Sequence, residues 1–245
     1  MELVTRQWSG NHQRVVVGIN LIRMLWTDGN AHLPGDFRID DNAHDGLTKN
    51  DHVRTMVQAA AARGFQPRLL AFDRWYASLE NLNLVRSLPW QWLTHLNANR
   101  LVDPDGSGNR LIRDVPIPSV GTIVHLKSYG FIKVVAMATP DGGSDDWATS
   151  DLAMGADQWA EYARYRWLIE ASQRGSTQDC GIERAQPRAA RAQRNPIDLA
   201  LRAFLRLECH RLRTGTSWFE AKAAIVREAI RAYLAHPCYT QLSTT

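Results

Sequence analysis

Between Val53 and Leu96 two apolar runs alternate with two helical windows, and that alternation restricts the fold more than any other feature of the 245 residues. Val53, Met56, Val57, Ala60 and Ala61 recur at helical spacing, with Asn50 or Asp51 as the expected cap and Gly64 as the stop. Leu69-Leu-Ala-Phe72 follows as a short buried strand, a second helix is expected from about Leu79 to before Pro89, and Trp92 to Leu96 reads as another strand. Strands separated by helices need the crossover that parallel pairing provides, so the pattern predicts an α/β protein with a mainly parallel sheet. Asp73 closes the first run and precedes Arg74-Trp75-Tyr76, which puts a carboxylate where a buried strand reaches the surface.

The flanking segments are of two other kinds. Val15 to Leu25 is rich in β-branched residues, and Asp28-Gly29 gives a turn before an extended stretch ending near Ile39, which predicts a hairpin. From Asp103 to Asp151 the turn clusters Asp103-Pro-Asp-Gly and Pro140-Asp-Gly-Gly enclose short runs at Thr122 to Leu126 and Phe131 to Val135, a β-rich insertion. Beyond it the chain turns helical. Asn195-Pro196 is the expected start of one helix, with Leu201, Leu205 and Leu212 toward its core, and Ser217-Trp-Phe-Glu220 is the capping box of another. The division expected is a partial core over 1–102, the insertion over 103–152 and a helical part over 153–245.

Net charge is only +4, but 25 of the 29 basic residues are arginine, the side chain that grips phosphate in bidentate fashion. Eight of them fall between Arg184 and Arg213 against two acids, Asp198 and Glu208, a footprint suited to nucleic acid and equally to a solvated helix face. Cys180, Cys209 and Cys238 are isolated, which excludes a disulfide framework and a zinc knuckle. His95, His125 and His210 stand apart as packed or surface residues. With no apolar run of about 20 residues and no signal peptide, a cytoplasmic, nucleoid-associated protein without membrane contact is expected.

On a helix, Arg166, Glu170, Arg174 and Thr177 share one face, being four, four and three residues apart. There Glu170 can hold a metal ion beside phosphate-binding arginines, or simply pair with Arg166 on the surface. Asp73 reads either as a ligand at a strand end or as a turn residue.

Together these segments resemble the bacterial insertion-sequence DDE transposases. The likeness is carried by Leu3-Val-Thr-Arg-Gln-Trp-Ser-Gly, Gly18-Ile-Asn-Leu, Asp45-Gly-Leu-Thr-Lys-Asn-Asp51, Phe72-Asp-Arg-Trp-Tyr-Ala-Ser-Leu-Glu-Asn81, Arg166-Trp-Leu-Ile-Glu170, Cys180-Gly-Ile-Glu-Arg-Ala-Gln and Arg191-Ala-Gln-Arg-Asn. The resemblance implies an RNase H-like mixed sheet flanked by helices, and cutting and joining of double-stranded DNA at terminal inverted repeats and target sites. It implies two Mg²⁺ or Mn²⁺ ions held by three carboxylates, and work as a homodimer. Asp73 matches the second family aspartate, Glu170 the glutamate and Arg166 the arginine of the Y-R-E-K signature. Arg174, Arg191, Arg194 and Arg202 are the expected DNA contacts. Thr177 stands where the signature has lysine and Ala163 where it has tyrosine. The family's first aspartate lies upstream of Glu2-Leu-Val-Thr, so the expectation is a truncated, inactive remnant that folds poorly alone, or a DNA-binding or inhibitory fragment.

Overall fold

A computed structural model describes residues 1–9, 13–138 and 144–237. The chain divides into two compact units: Val4–Met24 with Gly35–Trp167 in one, and Met1–Leu3, Leu25–Pro34 and Leu168 onward in the other.

The larger unit is the sheet unit. Strands β1 (Thr5–Ser9) and β2 (Arg14–Gly18) form an antiparallel pair, while β3 (Leu21–Trp26) and β4 (Leu33–Ile39) form a two-stranded sheet of their own. The single strand expected from Val15 to Leu25 is thus broken at residues 19 and 20. The Asp28-Gly29 turn is present: Asp28 Oδ1 accepts the Asn30 and Ala31 N–H groups, and Gly29 has φ 97°. A single turn of helix, α1 (Asn42–Asp45), precedes α2 (Lys49–Ala62).

The cap of α2 is Thr48, with Asp51 as its capping-box partner, rather than Asn50 or Asp51. Its inward face is His52, Met56, Val57 and Ala60, and Val53 and Ala61 pack at the margin. Gly64, at φ 82°, ends the helix as expected. Strand β5 (Leu69–Phe72), a 3₁₀ turn at Arg74–Tyr76, α3 (Leu79–Ser87) capped by Ser78, and β6 (Gln91–His95) complete a β-α-β crossover in which β5 and β6 pair in parallel.

The remaining strands continue the same sheet. They are β7 (Leu101–Asp103), β8 (Arg110–Leu111), β9 (Thr122–Leu126), β10 (Gly130–Ala138) and β11 (Ser144–Thr149). The order is β5-β6-β11-β10-β9-β7-β8, with β5 at one edge, and every neighbouring pair except β5–β6 is antiparallel. The sheet is therefore mixed, as an RNase H-like core requires, and not mainly parallel. Turns such as Lys127–Tyr129 are too short for a parallel crossover, so the β-rich stretch adds antiparallel strands. The Pro140-Asp-Gly-Gly cluster lies outside the described residues.

Two apolar clusters hold the sheet unit. One gathers Leu82, Val85, Trp92, Ile112, Leu126 and Ile132 under α2 and α3, where the Trp92 indole donates to the Tyr129 hydroxyl at 2.8 Å. The other gathers Leu93, Val135, Trp147, Met154, Trp159 and Tyr162. His95 packs on Trp147 at 3.9 Å between ring centres, the packed histidine expected.

The smaller unit is helical: the second half of α4 (Ala156–Gln178), then α5 (Ala190–Thr214) and α6 (Trp218–Ala235). Helix α5 begins at Ala190, so Pro196 lies inside it instead of in the first turn. Ala189 offers no capping side chain. The Glu2 carboxylate accepts the Ala190 N–H at 2.6 Å instead, and Gln193 Oε1 accepts the Leu3 N–H at 2.8 Å. A negative side chain at a helix N-terminus is favoured by the dipole, wherever in the chain it comes from.

The inward face of α5 is Ile197, Ala200, Leu201, Phe204 and Leu207; Leu205 and Leu212 are exposed, against expectation. Ser217 and Glu220 cap α6 as a capping box, as the sequence indicates. Glycine at 175 lets the helices approach: a Cβ there would lie 2.7 Å from Phe204 and 2.9 Å from Trp218.

Candidate functional site

Asp73 follows the carboxyl end of β5, the strand that runs parallel to β6, the place where open α/β sheets gather ligands. Its carbonyl accepts the Tyr76 N–H at 2.9 Å and closes the 3₁₀ turn, while its side chain makes no capping bond and is exposed. The turn is held from behind by buried Asn81, whose Nδ2 donates to the Tyr76 carbonyl at 2.8 Å and to Asn50 Oδ1 at 2.7 Å. Arg54 Nη1 donates to Asn81 Oδ1 at 3.1 Å, and Arg54 also pairs with Asp51 and with Glu80, the last at 3.0 Å.

A second carboxylate comes near this turn. The Tyr76 phenol is pushed above its ordinary pKa, chiefly by burial and further by the charges of Asp73 and Asp40. Asp40 stands just past β4, where its backbone N–H donates to the Asn20 carbonyl and its Oδ2 accepts from Asn20 Nδ2 at 2.8 Å and faces Lys49 Nζ at 3.8 Å. On sequence alone Asp40, Asp41 and Asp51 are weak candidates, because nothing in the pattern places them on a central strand. The shared effect on Tyr76 singles out Asp40. Asp41 is bound to His44 at 2.6 Å, and Asp51 is committed to Thr48 and Arg54.

Arg166, Glu170, Arg174 and Thr177 all lie on α4, as the spacing predicts. Glu170 and Arg174 are exposed, and the opposite face is the buried trio Ser172, Gly175 and Ser176. The hydroxyls of Ser172 and Ser176 donate back to the Ile169 and Ser172 carbonyls at 2.7 Å, which satisfies two buried polar groups within the helix. The Arg166 side chain lies outside what is described. Glu170 belongs to the helical unit and Asp73 to the sheet unit.

The arginine block proves to be mostly the outer face of α5. Arg191, Arg194, Arg202, Arg206 and Arg213 occupy about a third of the circumference at roughly 100° per residue, opposite the buried residues. Arg202 Nε also meets Asp198 Oδ2 at 2.9 Å, a pair on the exposed face. Arg211 does not belong to this surface. It binds Glu208, from Nε and Nη2 at 2.8 Å each, and reaches the Asn30 carbonyl.

Glu208 is the feature that sequence reasoning misses. It reads as one acid diluting a basic block, yet it is fully buried. Besides Arg211 it accepts from the His32 backbone N–H at 2.6 Å, faces His32 Nδ1 at 3.2 Å and accepts from Trp218 Nε1 at 2.6 Å. Burial alone pushes this carboxyl up, but the bonds from Arg211, Trp218 and the His32 N–H outweigh it and hold the pKa at about 2. The one available signal is its position three residues before Arg211, on the apolar side of the helix wheel.

Asp73 and Glu170 have the right chemistry for Mg²⁺ or Mn²⁺, whose preferred ligands are carboxylate oxygens. Among the described residues, however, no three His, Cys, Asp or Glu side chains gather as a metal site. The described residues alone do not make up such a centre. Nor is any helix among the described residues long and apolar enough to cross a membrane. Of the cysteines, Cys180 and Cys209 are free thiols, and Cys238 lies outside the described residues. A family model described as the transposase DDE domain matches residues 6–205. No curated protein matches the chain.

Proposed function

The chain belongs to the DDE transposase family, and from that premise we propose that it binds double-stranded DNA through the arginine face of α5. Asp73 and Glu170 are, in this reading, two carboxylates of the family's metal-dependent cutting and joining of DNA at insertion-sequence ends. Working as a pair of copies in the cytoplasm, it contacts the terminal inverted repeats and the target. In this reading the chain binds DNA without cleaving it.

The two-sidedness of α5 carries the proposal. Five arginines face outward over about six turns while Ile197, Leu201, Phe204 and Leu207 face in, so the basic stripe is anchored by the core behind it. A row of guanidinium groups along a rigid helix matches phosphates repeating along a duplex, and each contact releases counterions. Arg174 extends the basic surface on α4. Asp73 and Glu170 would be the carboxylates turned toward a divalent ion, which would supply activation of water or of a 3′-hydroxyl. The proposed share of this chain in that chemistry is the positioned charge of Asp73 and Glu170. Thr177 in place of the signature lysine, and Ala163 in place of its tyrosine, support binding without cleavage, because the signature's phosphate-contacting cation is missing at Thr177.

A duplex-binding titration over a range of salt concentrations tests the reading. Neutralising Arg191, Arg194 and Arg202 together is expected to weaken binding at least about tenfold and to flatten the salt dependence by roughly one charge per lost contact, while Glu170→Ala leaves binding unchanged. Binding indifferent to the triple change overturns the proposal. A second reading, an active nuclease and strand transferase, is favoured by the placement of Asp73 at the carboxyl end of a parallel strand. It requires Mg²⁺- or Mn²⁺-dependent nicking that Asp73→Ala or Glu170→Ala abolishes.

A further inference from the structure

Past Ala223, every side chain of α6 from residue 224 to 235 is exposed, and Ala221 is the one buried residue of the helix. Twelve helical residues that no other described residue covers are marginal in water, since helices in proteins take most of their stability from a packed face. This stretch is nevertheless apolar along a line. Phe219, Ala223, Val226, Ile230 and Tyr233 follow at intervals of four, three, four and three, the repeat of a coiled-coil seam. Phe219 is 71% exposed, Val226 47%, Ile230 52% and Tyr233 53%, with Leu234 at 70% beside them.

We propose that α6 is a self-association surface, on which the α6 of a second copy of this chain docks antiparallel. Charge selects both the partner and the direction. Glu220 and Arg227 border the seam on the same side, two turns apart. In the antiparallel register that faces Phe219 with Ile230 and Ala223 with Val226 of the second copy, each Glu220 comes opposite the other copy's Arg227. Two-fold symmetry supplies the ion pair twice. The alignment also sets small Ala223 against larger Val226. A parallel arrangement would instead bring Lys222 of each copy beside Arg227 of the other, two like charges. Both charges are already ordered within the monomer: Glu220 by its capping box with Ser217, and Arg227 by a bond from Nε to the Ala223 carbonyl at 3.2 Å. The inference gives a surface to the pairing of copies in the proposed function and rests on that reading only for its purpose. Its test reads mass and cross-linking without DNA, so either idea can fail alone.

Sedimentation of the full chain is expected to give twice the chain mass. Val226→Glu, placing a charge in the seam, is expected to weaken the dimer at least about a hundredfold with an unchanged far-ultraviolet circular dichroism spectrum. Ile225→Glu, exposed but off the seam, is expected to leave it intact. Direction is read by disulfide trapping with Cys180, Cys209 and Cys238 replaced by serine: chains carrying Phe219→Cys cross-link to chains carrying Ile230→Cys. Phe219→Cys does not cross-link to itself, since antiparallel packing separates the two positions by about 16 Å. If the cysteine-free chain does not fold, the pair of glutamate variants decides. A monomer, a dimer that survives Val226→Glu or falls to Ile225→Glu, or self-cross-linking of Phe219→Cys overturns the proposal.

Discussion

Residues 35–167 wrap two apolar clusters, whereas the helical unit closes around a buried carboxylate. In the sheet unit the large side chains fully buried include Trp92, Leu82, Leu93, Ile112 and Ile132; in the helical unit Gln193 and Glu208 join Leu3 and Phe204. Apolar burial is non-directional and tolerates local repacking. A buried carboxylate with backbone, indole and guanidinium donors aimed at it has one arrangement, and a half-satisfied one is worse than none. The contrast accords with the proposed reading, in which the helical unit holds the basic face.

The comparison breaks most readily at Glu208. Glu208→Leu leaves the His32 N–H, Arg211 and Trp218 without their acceptor and is expected to cost about 3–5 kcal/mol, read by hydrogen exchange confined to α5, α6 and residues 25–34. Leu82→Ala is the counterpart in the sheet unit, expected to cost about 2–5 kcal/mol with exchange rising in α2, α3 and β6. Exchange rising in both units after either change would refute their independence.

Acid should separate the units next. The Glu208 carboxyl sits at about 2 in the fold against 4.5 for an ordinary glutamate. Its contribution is therefore fully present above pH 4.5 and lost as pH falls toward 2, roughly 3 kcal/mol in all. Between those limits the helical unit is expected to open first, and simultaneous loss of both would count against the assignment.

Gly175→Ala presses a methyl group on Phe204 and Trp218, and is expected to cost about 1–3 kcal/mol despite the better helix propensity of alanine, read as a shift in urea midpoint. The smallest effect should also be the most even: Thr48→Ala and Ser217→Ala each remove a capping box, one per unit, at about 1 kcal/mol apiece by thermal unfolding.

How much of this was legible depends on how local the cause is. Ser217 with Glu220, the Asp28-Gly29 turn, Gly64, and the strand that ends at Asp73 are set by neighbours within a few residues, and the sequence pattern places each correctly. The cap of α2 slips by two or three positions only because Thr48, Asn50 and Asp51 are all good caps. The start of α5 was not legible. Its capping carboxylate is Glu2, 188 residues away, and without a local signal Asn195-Pro196 attracts the boundary. From that false start Leu205 and Leu212 look internal, when the buried stripe runs through Phe204, Leu207 and Glu208. Of the candidate site, the residues and their elements were readable from the pattern, including the common face of Glu170 and Arg174. The neighbourhood of Asp40 and Tyr76 was not, because only the fold brings the end of β4 near the turn after β5.

The tie between Glu2, Leu3 and the start of α5 also sets an order of events during synthesis. Every residue of the sheet unit has been made once Trp167 is added, so that unit can close while the rest of the chain is still in the ribosome. The helical unit cannot, for the Leu3 N–H must wait for Gln193 and the His32 N–H for Glu208. Until then Glu2, Leu3 and His32 remain without these partners, and segments far apart in sequence settle together and late.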